Sequence, residues 1–506
     1  GDKTARFARG GVGDPGAFHD GDIHVAQAEK IGGASADDAA AADDDLHGSW
    51  ARVARLLAAA GRHLARAGGK AGMNETLPMA NGIPLLAASL IYAGIARAER
   101  DDDMIEKSAV LHPEVNAADH FDVQSKTCGI AEAIAALPAS GGRVRLPAGT
   151  YLLRDSVYVP SRVSLVGDGP ATVLAIRPLQ VATLAQNVRK GQRVFECRGK
   201  PRLQVGDGIG VKDDRRGGWH GTHGVVQKIE GKRVWLDGPF YMGLATADHA
   251  RAVNLFPAIY ALDEEDVEIR DLTLQGPDNY RGEWWDFTYA AMHLVECRRV
   301  RILNCTVKNW PSDGIGVQRG SDVQVAQCQA HSCRGHGFHP GTGLARSVWS
   351  HNIGYKNGVD GFFFCARVHH STCSDSAFSE NGRHGIGGVA EGGDHHNIVD
   401  GNVCAHNGQC GIDASRGTEQ VITGNVLLGN SRGEPGRFPG IRLRDLTHAI
   451  VQGNRCTDDG ARVTQTGGII ESGASDYNLI SGNLCAGMAE AVVVCGRHSR
   501  AEGNLV

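Results

Sequence analysis

Cys305-Thr-Val-Lys-Asn-Trp-Pro-Ser-Asp-Gly-Ile315 is answered 23 residues later by Cys328-Gln-Ala-His-Ser-Cys-Arg-Gly-His-Gly-Phe338. The shared frame is one residue, a glycine, then an apolar residue. It recurs as Asp360-Gly361-Phe362, His384-Gly385-Ile386, Cys410-Gly411-Ile412, Pro439-Gly440-Ile441 and Gly467-Gly468-Ile469. Glu490-Ala491-Val492 is a degenerate copy, and Ala290-Ala291-Met292 fits one coil earlier. The glycines from Gly314 onward are 23, 24, 24, 26, 29 and 28 residues apart. A second column, nine residues before the glycine, holds Cys305, Cys328, Asn352, Ser376 and Asn402, and later coils keep Gly424-Asn425, Gly453-Asn454 and Gly482-Asn483. Two residues beyond lies an apolar column: Val307, Ala330, Gly354, Phe378, Cys404, Leu427, Cys456 and Cys485. Phase-locked columns predict a solenoid. Each coil of short strands buries its inner face only by stacking on the next, about 4.8 Å away, and Asn side chains hydrogen-bond along the stack. Coils in the twenties suit three short parallel strands with their turns. The Leu-x-x-Leu-x-Leu pattern is missing, and a propeller blade needs about 40 residues.

Composition agrees. The chain has 506 residues, 69 of them glycine, with only 6% aromatics, as short strands and tight turns require. At 42% hydrophobic and 22% charged it is globular rather than disordered. A net charge of -5 gives no nucleic-acid footprint, although a local basic cleft remains compatible with a polyanionic partner. Thirteen cysteines, an odd number without a CxxC pair, argue against a disulfide framework or zinc ribbon. Cys305, Cys328, Cys404, Cys456 and Cys485 read as core packing.

Ser140-Gly-Gly-Arg-Val-Arg-Leu-Pro-Ala-Gly-Thr-Tyr151 and Val163-Ser-Leu-Val-Gly-Asp-Gly169 resemble the opening of pectate-lyase-like β-helix proteins. The resemblance spans roughly residues 117 to 506. It implies an all-β fold, a right-handed single-stranded parallel β-helix, with Ile130 to Leu137 as the short helix capping its open end. Residues 194–254 break the rhythm and read as an inserted small β unit. The domain reading is therefore 1–72, a low-complexity leader outside the mature fold; 73–98, a signal peptide; and 99–506, the β-helix domain. The signal reading rests on the apolar run Ile83 to Ile95 and the small-x-small site Ala96-Arg97-Ala98. It predicts secretion, and the run is too short for stable membrane insertion. Gly503-Asn504 restarts a coil, so the exposed strand edges predict a truncated chain or a homo-oligomer that covers them.

The residues before the glycines, Asp313, His336, Asp360 and His384, put ionisable groups in one line over four coils. His339 lies three residues after His336, Arg383 adjoins His384, and Lys356 precedes Asp360. Such a stripe, read as a surface feature, offers an acid and a base near neutral pH and cations for a carboxylate. Gly337-Phe338-His339-Pro340, Asn357-Gly-Val-Asp-Gly-Phe362 and Asn381-Gly-Arg-His-Gly385 resemble the catalytic region of mannuronan C5-epimerases. Asp360, Arg383 and His384 match that family's pattern, whereas its Tyr, Asp and His fall on His336, His339 and Gly341. The resemblance implies uronate lyase or epimerase chemistry on a polysaccharide. Arg383 would neutralise the uronate carboxylate bidentately, and His336 and His339 would share the roles of base and acid. A second reading is a glycoside hydrolase using Asp313 and Asp360, two coils or about 9.6 Å apart. A third is a non-catalytic glycan-binding solenoid, which a buried or loop-capped stripe would favour. Tyr280, Trp284, Trp285 and His293 are candidate sugar contacts with Lys356. No cofactor is expected. Calcium fits a lyase in principle, but no ligand set declares itself. His369-His370 and His395-His396, one coil apart, gather four imidazoles in a turn and give a weaker metal reading.

Overall fold

The computed structural model describes residues 113–215, 221–277, 280, 282, 285–389, 392–458, 460, 463–488 and 490–506. The leader at 1–72, the signal segment at 73–98 and Trp284 lie outside the described residues. Among those described, no helix is long and apolar enough to cross a membrane.

Three parallel sheets run the length of the coil stack. The first has 13 strands, from Glu114–Asn116 and Gly142–Leu146 to Arg500–Glu502. The second has 11, from Gly149–Leu153 to Leu484–Ala486, and the third has 11, from Val157–Tyr158 to Glu490–Val493. Each coil visits them in that order, as in Arg298–Leu303, Thr306–Lys308 and Ile315–Gln318. The repeat frame sets the register: Met292, Ile315, Phe338, Phe362, Ile386, Ile412, Ile441, Ile469 and Val492 are successive partners. The inward column pairs likewise from Val307 and Ala330 to Cys456 and Cys485. Bulk is shared between coils there. A Cβ on Gly354 would lie 2.9 Å from Cδ1 of Phe378, so the large ring on one coil requires the glycine on its neighbour. Cys305, Cys328, Cys404, Cys456 and Cys485 are all buried.

Two asparagine ladders lock the turns. Asn402, Asn425, Asn454 and Asn483 each donate Nδ2 to the Oδ1 of the next asparagine at 2.9–3.0 Å, the last to Asn504. Asn357, Asn381 and Asn407 do the same, ending on Asn430. The helix Ile130–Ala136 buries Ile130 and Ala133 against the first coils. The break in rhythm is a six-stranded antiparallel sheet that starts at Val181 rather than near 194 and closes at Val253. It has its own core of Phe195, Ile209, Val226, Leu236 and Phe240. Val181–Thr183 pairs with Arg251–Val253, so the early boundary is a strand that only long-range pairing reveals.

Candidate active site

The four-coil stripe lies at the corner where each coil enters the third sheet. Its side chains do not radiate outward as a surface line. They lie along the stack, and Asp313, His336, Asp360 and His384 are all buried. The physical reason is the backbone of the next coil. Asp313 Oδ1 accepts the His336 N–H at 2.8 Å, and Asp360 Oδ1 accepts the His384 N–H at 2.9 Å.

Each ionisable group then acquires a distinct state. His339 Nδ1 is 2.7 Å from Asp313 Oδ2. Burial disfavours the imidazolium, but the hydrogen bond to Asp313 and the nearby Cys365 sulfur outweigh it and push His339 up to about 10. His339 Nε2 makes no hydrogen bond of good geometry. Cys365 Sγ is near enough to share the charge: burial raises the thiol, and His339 brings it below its ordinary value. His336 is the opposite case. Burial drives it below the usual histidine value although Asp313 and Asp360 pull upward, its Nδ1 being 3.3 Å from Asp360 Oδ2. The two imidazoles lie 5.2 Å apart between ring centres. His336 stacks on Phe363 at 4.3 Å, and Phe287 and Phe363 meet His339 edge-on at 5.6 and 5.2 Å.

Arg383 directs Nε to Asp360 Oδ1 at 2.8 Å and Nη2 to Oδ2 at 2.5 Å. The fork expected to meet a substrate carboxylate is therefore engaged by Asp360, and the side chain remains 38% exposed. Burial raises Asp360, but Arg383, His336 and His384 hold it well below the usual carboxylate range. Asp313 is likewise lowered, burial being outweighed by His336 and His339. Both carboxyls of the expected hydrolase pair are thus ionised and shut off from solvent. His384 Nδ1 accepts the Cys410 N–H at 3.1 Å, which puts its proton on Nε2, 3.6 Å from Asp413 Oδ2. Burial lowers it to about 4, a neutral link between coils. Gly387 is required here: a Cβ would lie 2.5 Å from Asp360 Oδ2.

The flanking candidates divide. His293 precedes His339 by two coils in the outward column of the third sheet, with Gly316 between them. It is buried, and burial lowers it to about 3. Trp285 is fully buried, with Lys212 over its ring at 4.5 Å, so it packs the junction with the inserted sheet and offers no stacking face. Its Nε1 donates to Tyr280 Oη at 3.1 Å, which anchors Tyr280 on the same cluster. Lys356 is exposed at a left-handed turn, and its charge bears on His331. The inserted sheet positions Phe287. His223 packs on Tyr289 at 4.2 Å and contacts Thr288 Oγ1 at 3.1 Å, fixing Phe287–Tyr289 over the stripe. Cys365 and Phe287 were not singled out from sequence. Cys365 falls three residues after a repeat phenylalanine, and no spacing rule marks it. Asp286, which burial raises to about 6, lies in an irregular loop.

The family model described as "Right handed beta helix region" matches residues 258–484. The chain is a right-handed parallel β-helix. Among solved β-helices, it is similar to the A-module of the Azotobacter vinelandii mannuronan C-5 epimerase AlgE6. That likeness has 16% identity and a TM-score of 0.52, and covers 77% of this chain and 98% of the module. An exopolygalacturonase of Thermotoga maritima has 14% identity and a TM-score of 0.42 over 78% of this chain and 91% of that one. The tailspike gp61 of Pseudomonas phage phi297 has 13% identity and a TM-score of 0.36, covering 74% of this chain and 75% of its own. No curated protein matches the chain by sequence. At these identities the likeness is one of fold.

Proposed function

We propose that this β-helix is a carbohydrate-active enzyme that removes the proton α to a uronate carboxylate in an extracellular polysaccharide, by lyase- or epimerase-type chemistry. One observation carries the reading. Two adjacent imidazoles, 5.2 Å apart, are driven in opposite directions: His339 is protonated on Asp313, and His336 is neutral by burial. Opposed environments on neighbouring titratable groups mark an acid and a base. His336 serves as the base and His339, from Nε2, as the acid toward the leaving oxygen or the far face of the carbanion. Arg383 contributes a point charge to the carboxylate, since its fork holds Asp360. The hydrolase reading is disfavoured because Asp313 and Asp360 are both held ionised, and hydrolysis needs one carboxylic acid.

The burial of the stripe favours a second reading, a glycan-binding solenoid in which the Asp–His column only fixes the coils. A panel of alginate, pectate, glucuronan and neutral glycans separates the two. New unsaturated uronate absorbance or C5 inversion on an acidic polymer, absent in His339→Gln and in His336→Gln, is expected for the enzyme. Retention of polymer by the wild type with no change in its structure would establish the binder, and reducing ends without unsaturation would bring back the hydrolase.

A further inference from the structure

The turn between the third and first sheets carries a feature that the stripe chemistry leaves unused. His369, His395, Thr418, Thr447 and Asp476 stack there as bridge partners on successive coils. The next position, occupied by Arg346, His370, His396, Glu419, His448 and Tyr477, is left-handed in every coil, with φ of 50–58°. That conformation turns the side chain beside its predecessor. In two consecutive coils it brings two imidazoles together, edge to face. His369 Nδ1 and His370 Nδ1 are 2.9 Å apart, and His395 Nδ1 and His396 Nδ1 are 2.8 Å apart. The pairs stack in register, His369 on His395 at 4.9 Å and His370 on His396 at 5.0 Å, with planes within 8°. His370 and His396 are exposed.

We infer that the His369–His370 and His395–His396 pairs form a surface site for divalent transition-metal ions of nitrogen preference. The spacing is that of a chelate. Two nitrogens at a right angle on an ion about 2.0–2.1 Å from each are about 2.9 Å apart. A tetragonal ion such as Cu²⁺ or Ni²⁺ therefore fits better than a tetrahedral one, and Cu²⁺ binds imidazole nitrogen most tightly of the series. The proton bookkeeping agrees. His396 Nε2 lies 3.0 Å from Glu419 Oε2, which places its proton there and turns the Nδ1 lone pair toward His395. Two dications about 5 Å apart repel, so one ion binds tightly and a second more weakly.

Chelator-treated full-length protein titrated with Cu²⁺ alone tests this by calorimetry, with electron paramagnetic resonance of the first equivalent. The expected result is one tight ion with nitrogen hyperfine structure from two imidazoles. His370→Asn/His396→Asn keeps a residue that tolerates the left-handed turn and abolishes the tight ion with an unchanged circular dichroism spectrum. His339→Gln, in the buried cluster, retains it. Glu419→Gln weakens it about 10-fold. A double variant that binds Cu²⁺ as the wild type does, or a wild type whose first equivalent shows no nitrogen coupling, overturns the assignment.

Discussion

Two columns of polar side chains are buried in the same solenoid, and they are built on opposite principles. In the asparagine ladder each amide is neutral and both donor and acceptor. Asn402 Nδ2 reaches Asn425 Oδ1 at 3.0 Å and the Cys373 carbonyl at 2.9 Å, while the Asn402 N–H also goes to Asn425 Oδ1. Identical units satisfy one another, so the ladder runs from Asn402 to Asn504 without a balancing charge. The Asp–His column cannot extend this way. Its carboxylates accept from the following coil, and each negative charge needs an imidazole or guanidinium beside it. It lasts four coils. A column that only holds register is served by neutral amides. A column that alternates carboxylate and imidazole fixes protons on chosen nitrogens, and the proposed function places its chemistry on this difference, in the coils of Asp313 to His384.

The largest expected effect separates the columns by function. His339→Gln or Asp313→Asn should lower turnover on the responsive uronate polymer by about 100-fold or more. Asn425→Ala should leave turnover per folded molecule unchanged, as initial rates normalised to folded protein will show.

In the asparagine ladder the expected effect is on stability alone. Asn425→Ala strands the Asn402 N–H in the core and should cost about 2–3 kcal/mol, seen as a lower urea midpoint.

The pH dependence sharpens the contrast, because only the charged column has protons to exchange. His293 is lowered to about 3 against about 6.5 in the unfolded chain, so its neutral form stabilises the fold above that value. That contribution is lost as pH falls, by about 2 kcal/mol at pH 5. His339, raised to about 10, has the opposite sign: its contribution is complete below about 6.5 and lost as pH rises through 10. Melting temperatures of wild type, His293→Gln and His339→Gln across this range should show the acid limb flattened in the first variant and the alkaline limb in the second. The smallest effect is expected at the surface. Arg346→Gln breaks an exposed pair with Asp322 and should leave the melting temperature unchanged.

The solenoid was legible because stacking repeats a local rule. Glycine, the apolar residue after it and the asparagine nine before it recur in phase, and the pairings of Ile315 with Phe338 and of Val307 with Ala330 follow that phase. The line Asp313, His336, Asp360, His384 came from the same register. What the register could not supply was direction. Whether a side chain at a corner radiates or lies along the stack depends on the next coil's N–H, and that choice buried the stripe. Nor could it supply what a loop brings in. Phe287 reaches His339 only because a sheet beginning at Val181 packs behind it, and Trp285 became a core residue for the same reason.

The most direct test of the opposed imidazole pair is proton exchange at C5 of the uronate. The protein is incubated with the responsive polymer in heavy water, and deuterium at C5 and unsaturated ends are followed by nuclear magnetic resonance. Either product in the wild type, with both lost in His336→Gln and sharply reduced in His339→Gln, is the predicted result. Undiminished exchange in both variants, or a polymer that is bound yet gains neither deuterium nor unsaturation, would contradict the account.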